Sequence, residues 1–280
     1  MEGSYPLHQS TLSVIIPNYN HAHYISEQLQ AILEQSFRPI EVIVIDDGST
    51  DNSVEVIKSF AQQDPIVRLF CNQQNKGVVF SLNRGLELAS GDYIYCCSAD
   101  DRVLPCLFMK SMSLLAQYPE AGLCCSHPAF LDDATGVVDK HEDWFHLSDR
   151  PCYVSPEELV KVVGPNGLWI AGHTCIVKRS AFTESGKYIP ELKWHCDWFA
   201  FHAIAFRYGI CYIPEALAAL RILPSSYSAT GTRNPAAQHE VMNHLIRLLK
   251  SEQYSDVLHA FRNSALLANM PIVKTLLREH

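Results

Sequence analysis

Two adjacent aspartates, Asp46 and Asp47, follow the short apolar segment 41–45 and precede Gly48. A strand that ends in carboxylates and then turns presents hydrogen-bond acceptors to a ligand. Such a carboxylate can accept a hydrogen bond from the ring N–H of uracil or guanine. We expect Asp47 to have this role, and we expect Asp46 and Asp51 to order the turn and cap the next helix.

A second pair, Asp100 and Asp101, follows the apolar segment 93–97. Two neighbouring acids beside an apolar segment are costly unless they are paired or bind a cation. A hard divalent cation takes carboxylate and phosphate oxygens together, so a metal bound to a phosphate ligand is one interpretation. A solvated turn before the helix near Pro105 is the other interpretation.

The elements around these pairs alternate between strand and helix. Apolar segments at 12–17, 41–45, 66–71 and 93–97 predict buried strands, and apolar residues at helical spacing separate them. This rhythm predicts right-handed crossovers and a mainly parallel sheet flanked by helices. Because ligands bind beyond the carboxyl ends of such strands, the polar residues at those ends are expected to form one site.

The second half is less regular. Residues 132–153 read as a long loop, 172–178 as a strand, 197–208 as a helix, 210–223 as extended chain and 225–235 as a polar linker. Apolar stripes predict helices over 236–280, which would pack on the preceding domain or on a second copy in a homodimer. We therefore predict a domain at 1–228 and a C-terminal helical extension at 229–280.

Composition narrows the function. The 280 residues are 48% hydrophobic and 19% charged with a formal net charge of −8, which indicates a folded chain and argues against nucleic-acid binding. The ten cysteines include no CxxC pair, so free thiols in a reducing compartment are expected. Without a signal-like start or a membrane-length apolar segment, a cytoplasmic protein, peripheral at most at the inner membrane face, is expected.

Six short motifs together resemble family 2 glycosyltransferases of the GT-A fold, a Rossmann-like α/β fold. They are SVIIPNYN (13–20), VIVIDDGSTD (42–51), NKG (75–77), LNRG (82–85), GDYI (91–94) and Asp100-Asp101. Each motif is common alone, but their order and spacing over about residues 11–225 are specific. The resemblance implies transfer of a sugar from a nucleotide-diphosphate donor, with a UDP-sugar favoured, to a hydroxyl of a glycan or lipid-linked acceptor. Cell-surface or exported polysaccharide synthesis is the implied setting.

The resemblance also implies roles for the matching residues. Pro17 and Tyr19 would line the base pocket and Asp47 would contact the base, and Lys76, Asn83 and Asp100 would complete the donor site. Asp101, with Asp100, would bind Mn²⁺ or Mg²⁺ bridging the diphosphate. Many relatives have a further Asp where this chain has Ser98, and a His where it has Leu223. A third protein ligand is therefore not expected, and the donor phosphates would supply the remaining metal ligands.

In the family, an acid at the start of a helix in the second half acts as the general base, and Asp197 matches that position. Such a base takes the proton of the acceptor hydroxyl as that hydroxyl attacks the anomeric carbon opposite the leaving diphosphate, which inverts the configuration. Four nearby side chains could form an acceptor wall, although core packing is the favoured interpretation for each: Trp169, His173, Trp194 and Trp198.

Three other functions are compatible with an α/β fold of this kind. A dehydrogenase would need GxGxxG after the first strand, which is absent. A nucleotidyltransferase uses a similar sheet and acid pair but has a Gly-rich basic loop, which does not precede Asn18. A degenerate domain that binds a nucleotide sugar or a partner without turnover stays open, because Ser98 and Leu223 depart from the family pattern.

Overall fold

The computed structural model describes residues 10–140, 146–162, 170–224 and 226–267. The strands are β1 (Leu12–Asn18), β2 (Glu41–Asp46), β3 (Val67–Cys71), β4 (Tyr93–Cys96), β5 (Arg102–Val103), β6 (Leu123–Leu131), β7 (Val138–Asp139), β8 (Cys152–Val154), β9 (Ile176–Lys178) and β10 (Ile210–Arg221). The helices are α1 (Ala22–Leu33), α2 (Ser53–Gln63), α3 (Val78–Leu88), α4 (Leu107–Gln117), α5 (Pro156–Val162), α6 (Arg179–Glu184), α7 (Cys196–Tyr208), α8 (Tyr227–Thr232), α9 (Pro235–Leu249) and α10 (Ser255–Asn263).

One sheet joins both halves of the chain, in the order β3-β2-β1-β4-β9-β6-β10-β5. The first four strands are parallel, with β1 between β2 and β4, as the alternation of strands and helices predicted. In the second half β9 is antiparallel to both of its neighbours, β4 and β6, while β6 and β10 are parallel. The fold class is the expected α/β sheet flanked by helices, with a mixed second half.

The apolar segments become central strands because both of their faces are covered. Every residue of β2 is buried, and the side chains of the sheet alternate between two hydrophobic clusters. Ile15, Ile43 and Ile45 face the cluster that includes α7, whereas Val14 and Val44 face the cluster that includes α1 and α4. This two-layer covering fixes the register of the strands and therefore the positions of the polar residues at their carboxyl ends.

Two segments of the second half differ from their predictions. Residues 172–178 form a 3-10 turn, Gly172–Thr174, before the short strand β9. Residues 225–235 contain helix α8, whose start is capped by the Ser226 side chain, which accepts a hydrogen bond from Ala229 N–H. The polar composition therefore marked a capped helix and not a linker.

The C-terminal helices pack on the same chain. Val241 and Leu245 of α9 and Phe261 of α10 are fully buried in the cluster that contains Phe199 and Ile204 of α7. The apolar stripes predicted for this region are thus covered by the domain before them. Of the helices in the described ranges, none has the length and hydropathy to span a membrane.

Candidate active site

Asp46 orders the ends of β1 and β2. Its carboxylate accepts hydrogen bonds from the Asn18 amide (2.9 Å) and from the Ser49 hydroxyl and N–H (2.6 and 3.0 Å). Asp51 accepts from the N–H groups of Ser53 and Ala22, each at 3.0 Å, at the starts of α2 and α1. Both acids have the turn-forming role expected from the sequence, although the residue at the N-cap of α2 is Asn52.

Asp47 holds the loop between β3 and α3. Its Oδ1 accepts from Asn72 Nδ2 (2.6 Å) and Lys76 N–H (3.0 Å), and its Oδ2 accepts from Gly77 N–H (2.7 Å). Asp47 is 3% exposed, and Oδ2 retains capacity for one further hydrogen bond. The residue therefore positions the Lys76-Gly77 loop, and any nucleobase contact would use the remaining acceptor position.

Gly48 explains how this turn closes. Its φ is +76°, and a Cβ there would lie 2.9 Å from the main-chain carbon of Gln74. Only glycine combines this left-handed backbone with so close an approach of another main chain. The motif thus brings the Asp46-Asp47 turn against the loop that precedes α3.

The other predicted donor residues surround these turns. Pro17 lies in β1, Tyr19 directly after β1 is 41% exposed, and the Lys76 ammonium lies 4.5 Å from the centre of the Phe80 ring. Asn83, which was also predicted near the donor, has a structural role: its amide makes two hydrogen bonds with the main chain of Tyr188 (2.8 and 3.2 Å). These bonds tie α3 to the second half of the chain, a role that the sequence did not indicate.

The second acid pair is buried beyond the end of β4. Asp100 and Asp101 are 8% and 6% exposed, and the Ser98 hydroxyl donates to Asp100 Oδ1. Burial raises the pKa of Asp101 well above its usual range, and the charge of Asp100 raises it further. Such a pair favours a nearby cation, as the sequence predicted.

Arg221 at the end of β10 closes this acid turn, and its contacts were not predicted from the sequence. Its N–H donates to Asp101 Oδ1 (3.1 Å) and its Nε donates to the carbonyl of Asp100 (2.8 Å). Its terminal nitrogens pair with Asp133 (3.0 Å) and Glu27 (2.8 Å), and the guanidinium lies over the ring of Tyr24 at 4.6 Å. Because two exposed acids already engage this guanidinium, it only partly offsets the charge of Asp100 and Asp101.

The donor set at this turn fits a divalent cation that is also bound by a ligand. The two buried carboxylates are hard oxygen donors, and burial raises the pKa of Asp101. Within the described ranges, no group of three or more His, Cys, Asp or Glu side chains could hold a metal by itself. Asp100 and Asp101 would therefore need oxygen atoms from a bound phosphate group to complete the coordination shell.

Asp197 reaches the same region from the second half of the chain. It lies in the first turn of α7, and its Oδ1 accepts from Trp198 N–H at 2.7 Å. Burial raises its pKa above the usual value. The pKa of Cys96, the last residue of β4, is raised to about 12, mainly by burial and further by the charge of Asp197. The charge of Asp197 is thus felt at Cys96, which precedes Asp100 and Asp101 in the chain.

The main chain at Gly172 packs closely against the Asp197 carboxylate. A Cβ at Gly172 would lie 2.6 Å from Asp197 Oδ2 and 3.1 Å from the Phe201 ring. A larger residue would therefore collide with the carboxylate. Glycine at the first position of the 3-10 turn thus allows this close approach.

Of the four residues proposed as an acceptor wall, the three that the structure describes are buried or packed against the core. Trp169 lies outside the described residues, and His173 is 8% exposed with its pKa lowered to about 4 by burial. Trp194 packs under α8 and donates through Nε1 to Gln238 (2.8 Å), while Trp198 packs on Phe261 with ring centres 5.8 Å apart. The two tryptophans hold the C-terminal helices, because apolar stripes of those helices need a partner surface. Core packing was the correct interpretation for both.

Comparison with known proteins agrees with this arrangement. The model of the family "Glycosyl transferase family 2" matches residues 13–186. The chain is 42% identical over 217 residues to the uncharacterised glycosyltransferase YibD of Escherichia coli, covering 70% of this chain and 58% of YibD. It is 39% identical over 106 residues to an uncharacterised glycosyltransferase of Haemophilus influenzae, covering 38% of this chain and 42% of that protein. The chain thus spans about half the length of these relatives.

Solved structures share the fold at low sequence identity. S. aureus TarS 1–349 in complex with UDP-GlcNAc superimposes with a TM-score of 0.67 and 16% identity, over 90% of this chain and 72% of TarS 1–349. The mannosyltransferase PcManGT of Pyrobaculum calidifontis, in complex with GDP-Man and Mn²⁺, gives 0.60 and 20% identity, over 98% and 74%. Together with the family match over most of the chain, these findings confirm the resemblance: the chain belongs to glycosyl transferase family 2 and has the GT-A fold.

Proposed function

We propose that this protein transfers a sugar from a nucleotide-diphosphate donor to an acceptor hydroxyl with inversion of configuration. The observation that carries the proposal is the buried pair Asp100 and Asp101, which Arg221 holds beyond the end of β4, together with the buried carboxylate of Asp197 at the start of α7. A leaving diphosphate needs charge stabilisation and an attacking hydroxyl needs a base, and this edge of the sheet supplies groups for both.

Donor binding is assigned to the ends of β1, β2 and β4. Tyr19 offers an exposed ring on which a nucleobase can pack, beside Pro17, and Asp47 Oδ2 offers an acceptor for a base N–H. Lys76 is exposed on the loop that Asp47 holds, near the expected phosphates. Uracil and guanine each carry a ring N–H for this acceptor, and uracil is the base we favour because TarS, which shares the fold, was solved with UDP-GlcNAc.

Asp100 and Asp101 would hold Mn²⁺ or Mg²⁺ together with the donor diphosphate. The ion would supply positive charge where the leaving diphosphate gains negative charge. PcManGT, which shares the fold, was solved with GDP-Man and Mn²⁺. Arg221 would keep the two carboxylates in place, because its main chain and side chain bond both residues.

Asp197 would act as the general base. A raised pKa brings its proton affinity closer to that needed at neutral pH, which makes the carboxylate a better proton acceptor than an exposed aspartate. An acceptor hydroxyl could transfer its proton to Oδ2, which is not the oxygen bonded to Trp198. The acceptor class we favour is a glycan or a lipid-linked sugar in cell-surface or exported polysaccharide synthesis.

A donor panel tests the proposal. Purified protein is incubated with UDP-glucose, UDP-galactose, UDP-GlcNAc or GDP-mannose and Mn²⁺, and release of nucleotide diphosphate is followed with and without a glycan acceptor mixture. We expect one donor to be turned over, with loss of turnover in EDTA. Binding of a donor without any release would favour a non-catalytic domain, and release of pyrophosphate from a sugar phosphate and UTP would favour nucleotidyl transfer.

A further inference from the structure

A cavity opens between helix α3 and the start of helix α8. Its volume is about 700 Å³, within the range of small-molecule sites. It extends from the loop that Asp47 holds, along one face of α3, to the first residue of α8. The residues that line it include Lys76, Phe80, Asn83, Arg84, Pro190 and Tyr227.

Two aromatic rings in this cavity are unusually exposed. Phe80 is 42% exposed and Tyr227 is 48% exposed, although both lie beside well-packed helices. The flat face of an aromatic ring, with its negative quadrupole, packs against the C–H groups on one face of a sugar ring. Two such rings lining one cavity are suited to a pyranose.

Trp194 supports the ring of Tyr227. Its ring packs edge-on against Trp194 with centres 6.0 Å apart, and α8 lies so close to Trp194 that a Cβ at Gly231 would overlap the indole ring. Trp194 is in turn fixed by its hydrogen bond to Gln238 of α9. The ring with the exposed face is therefore Tyr227, and Trp194 is its support.

The polar groups of the cavity add hydrogen-bonding capacity. The Lys76 ammonium lies over the Phe80 ring, and none of the ion pairs among the described residues includes it. Glu87 at the cavity edge is paired with Lys187 at 3.3 Å. Lys76 can thus donate to sugar hydroxyls or to an acidic substituent on the ligand.

The location favours the acceptor over the donor. Tyr19, Asp47, Asp100 and Asp101, which are assigned to the donor, lie at the ends of β1, β2 and β4. Of the groups assigned to the donor phosphates, Lys76 also lines this cavity, which is completed by Tyr227 of α8. The Tyr227 ring packs on Trp194, which comes three residues before Asp197 in the chain. The cavity therefore ends beside the segment that leads to the proposed base.

We propose that this cavity, lined by Phe80 and Tyr227, is the acceptor subsite and binds a pyranose ring of the acceptor glycan. The proposal rests on the glycosyl transfer proposed above and extends it by naming the surface that selects the acceptor. The acceptor would thus contact Phe80 and Tyr227, whose rings face solvent, and not Trp194 and Trp198, which were candidates from the sequence.

Saturation-transfer NMR with simple sugars tests this subsite directly. Wild type, Tyr227→Ala, Phe80→Ala and Tyr227→Phe are each mixed with methyl glycosides of glucose, galactose, mannose and N-acetylglucosamine in the presence of UDP and Mn²⁺. We expect at least one glycoside to bind wild type and Tyr227→Phe, and to bind each alanine variant roughly tenfold more weakly, as loss of a stacked ring implies. Met109→Ala, an exposed apolar side chain of α4 outside the cavity, should match wild type.

Binding of UDP with Mn²⁺, measured by calorimetry on the same proteins, distinguishes failure of the acceptor subsite from failure of the proposed glycosyl transfer. We expect UDP affinity to be unchanged in Tyr227→Ala, Tyr227→Phe and Met109→Ala; Phe80→Ala is judged by glycoside binding alone, because the Phe80 ring lies under the Lys76 ammonium assigned to the donor phosphates. If Tyr227→Ala loses UDP, the cavity is part of the donor site and the subsite proposal fails. It also fails if no glycoside binds, or if glycosides bind the alanine variants as well as wild type. If wild type binds no UDP or other donor, the proposed transfer itself is at fault.

Discussion

The N–H of Arg221 donates a hydrogen bond of 3.1 Å to Asp101 Oδ1, across 120 residues of sequence. The bond joins the last residue of β10 to the acid turn after β4, so the two halves of the chain meet at the candidate metal site. The Arg221 side chain reinforces this junction through the carbonyl of Asp100 and the carboxylates of Glu27 and Asp133.

Arg221→Gln should loosen the acid turn. The change leaves the carbonyl of Asp100 without its donor and removes two ion pairs from a side chain that is 6% exposed, so we expect a loss of about 2 kcal/mol in the free energy of unfolding. Urea denaturation measures this loss. Arg102→Gln is the matched control, because the Arg102 side chain also pairs with Glu27 but donates no hydrogen bond to Asp100 or Asp101.

The same two variants distinguish a positioning role from simple stability. We expect Arg221→Gln to raise the Mn²⁺ concentration needed for half-maximal activity, while Arg102→Gln leaves it unchanged. Equal Mn²⁺ requirements in both variants would show that the acid turn keeps its geometry without the Arg221 side chain.

Asp101→Asn should separate metal binding from stability. The raised pKa of Asp101 means that its ionised form is disfavoured in the fold, so the neutral amide should raise the melting temperature of the metal-free protein at pH 7. In wild type, Mn²⁺ with UDP should add about 2.7 kcal/mol at 100 times the dissociation constant. Asp101→Asn should lose this increment, and Asp149→Asn, at a side chain that is 94% exposed, should keep it. An undiminished increment in Asp101→Asn would place the ion elsewhere.

Asp47→Ala should weaken UDP binding, but its contacts require a control. The carboxylate also holds Asn72 and the Lys76-Gly77 loop, so the variant disturbs that loop as well as any base contact. Asn72→Ala loosens the loop but keeps the carboxylate. We expect calorimetry to show a larger loss of UDP affinity in Asp47→Ala than in Asn72→Ala, by roughly tenfold, the effect of one hydrogen bond to a charged group. Equal losses would limit Asp47 to loop support.

Asp197→Asn should stabilise the fold at neutral pH. Because burial raises the folded-state pKa of Asp197, ionisation above that pKa costs stability, whereas below the unfolded value of about 4 both states hold the proton. The gain in melting temperature should therefore be present at pH 7 and vanish as the pH falls towards 4. Asp256→Asn should behave oppositely, since Arg207 lowers the pKa of Asp256 and stabilises its ionised form. A destabilised Asp197→Asn at pH 7 would show that the fold stabilises the ionised carboxylate, which contradicts the raised pKa of Asp197.

Local sequence predicted where the acids at the strand ends lie in the sheet. Apolar strands separated by amphipathic helices place Asp47, Asp100 and Asp101 at one edge of a sheet, because parallel strands share the direction of their carboxyl ends. Gly48 also marks its own turn, since the turn needs a positive φ. These features depend on nearby residues and on a general topological rule.

Contacts between distant segments could not be predicted in the same way. Glu27 pairs with Arg221 across 194 residues, and Asn83 bonds Tyr188 across 105. An apolar stripe shows that a helix packs but not which surface it covers, so the burial of Trp194 and Trp198 under the C-terminal helices was not specified. The exposed faces of Phe80 and Tyr227 follow from that same packing.

The most direct test of the proposed mechanism is transfer by Asp197→Asn. Asn keeps the shape and the bond to Trp198 N–H but cannot take a proton at neutral pH, so transfer from the donor identified in the panel should fall by about 10²- to 10⁴-fold. Donor affinity with Mn²⁺, measured by calorimetry, should stay within about twofold of wild type, and NMR of the wild-type product should show an inverted anomeric centre. Near-wild-type turnover by Asp197→Asn, or a retained anomeric configuration, would contradict the assignment of Asp197 as the base.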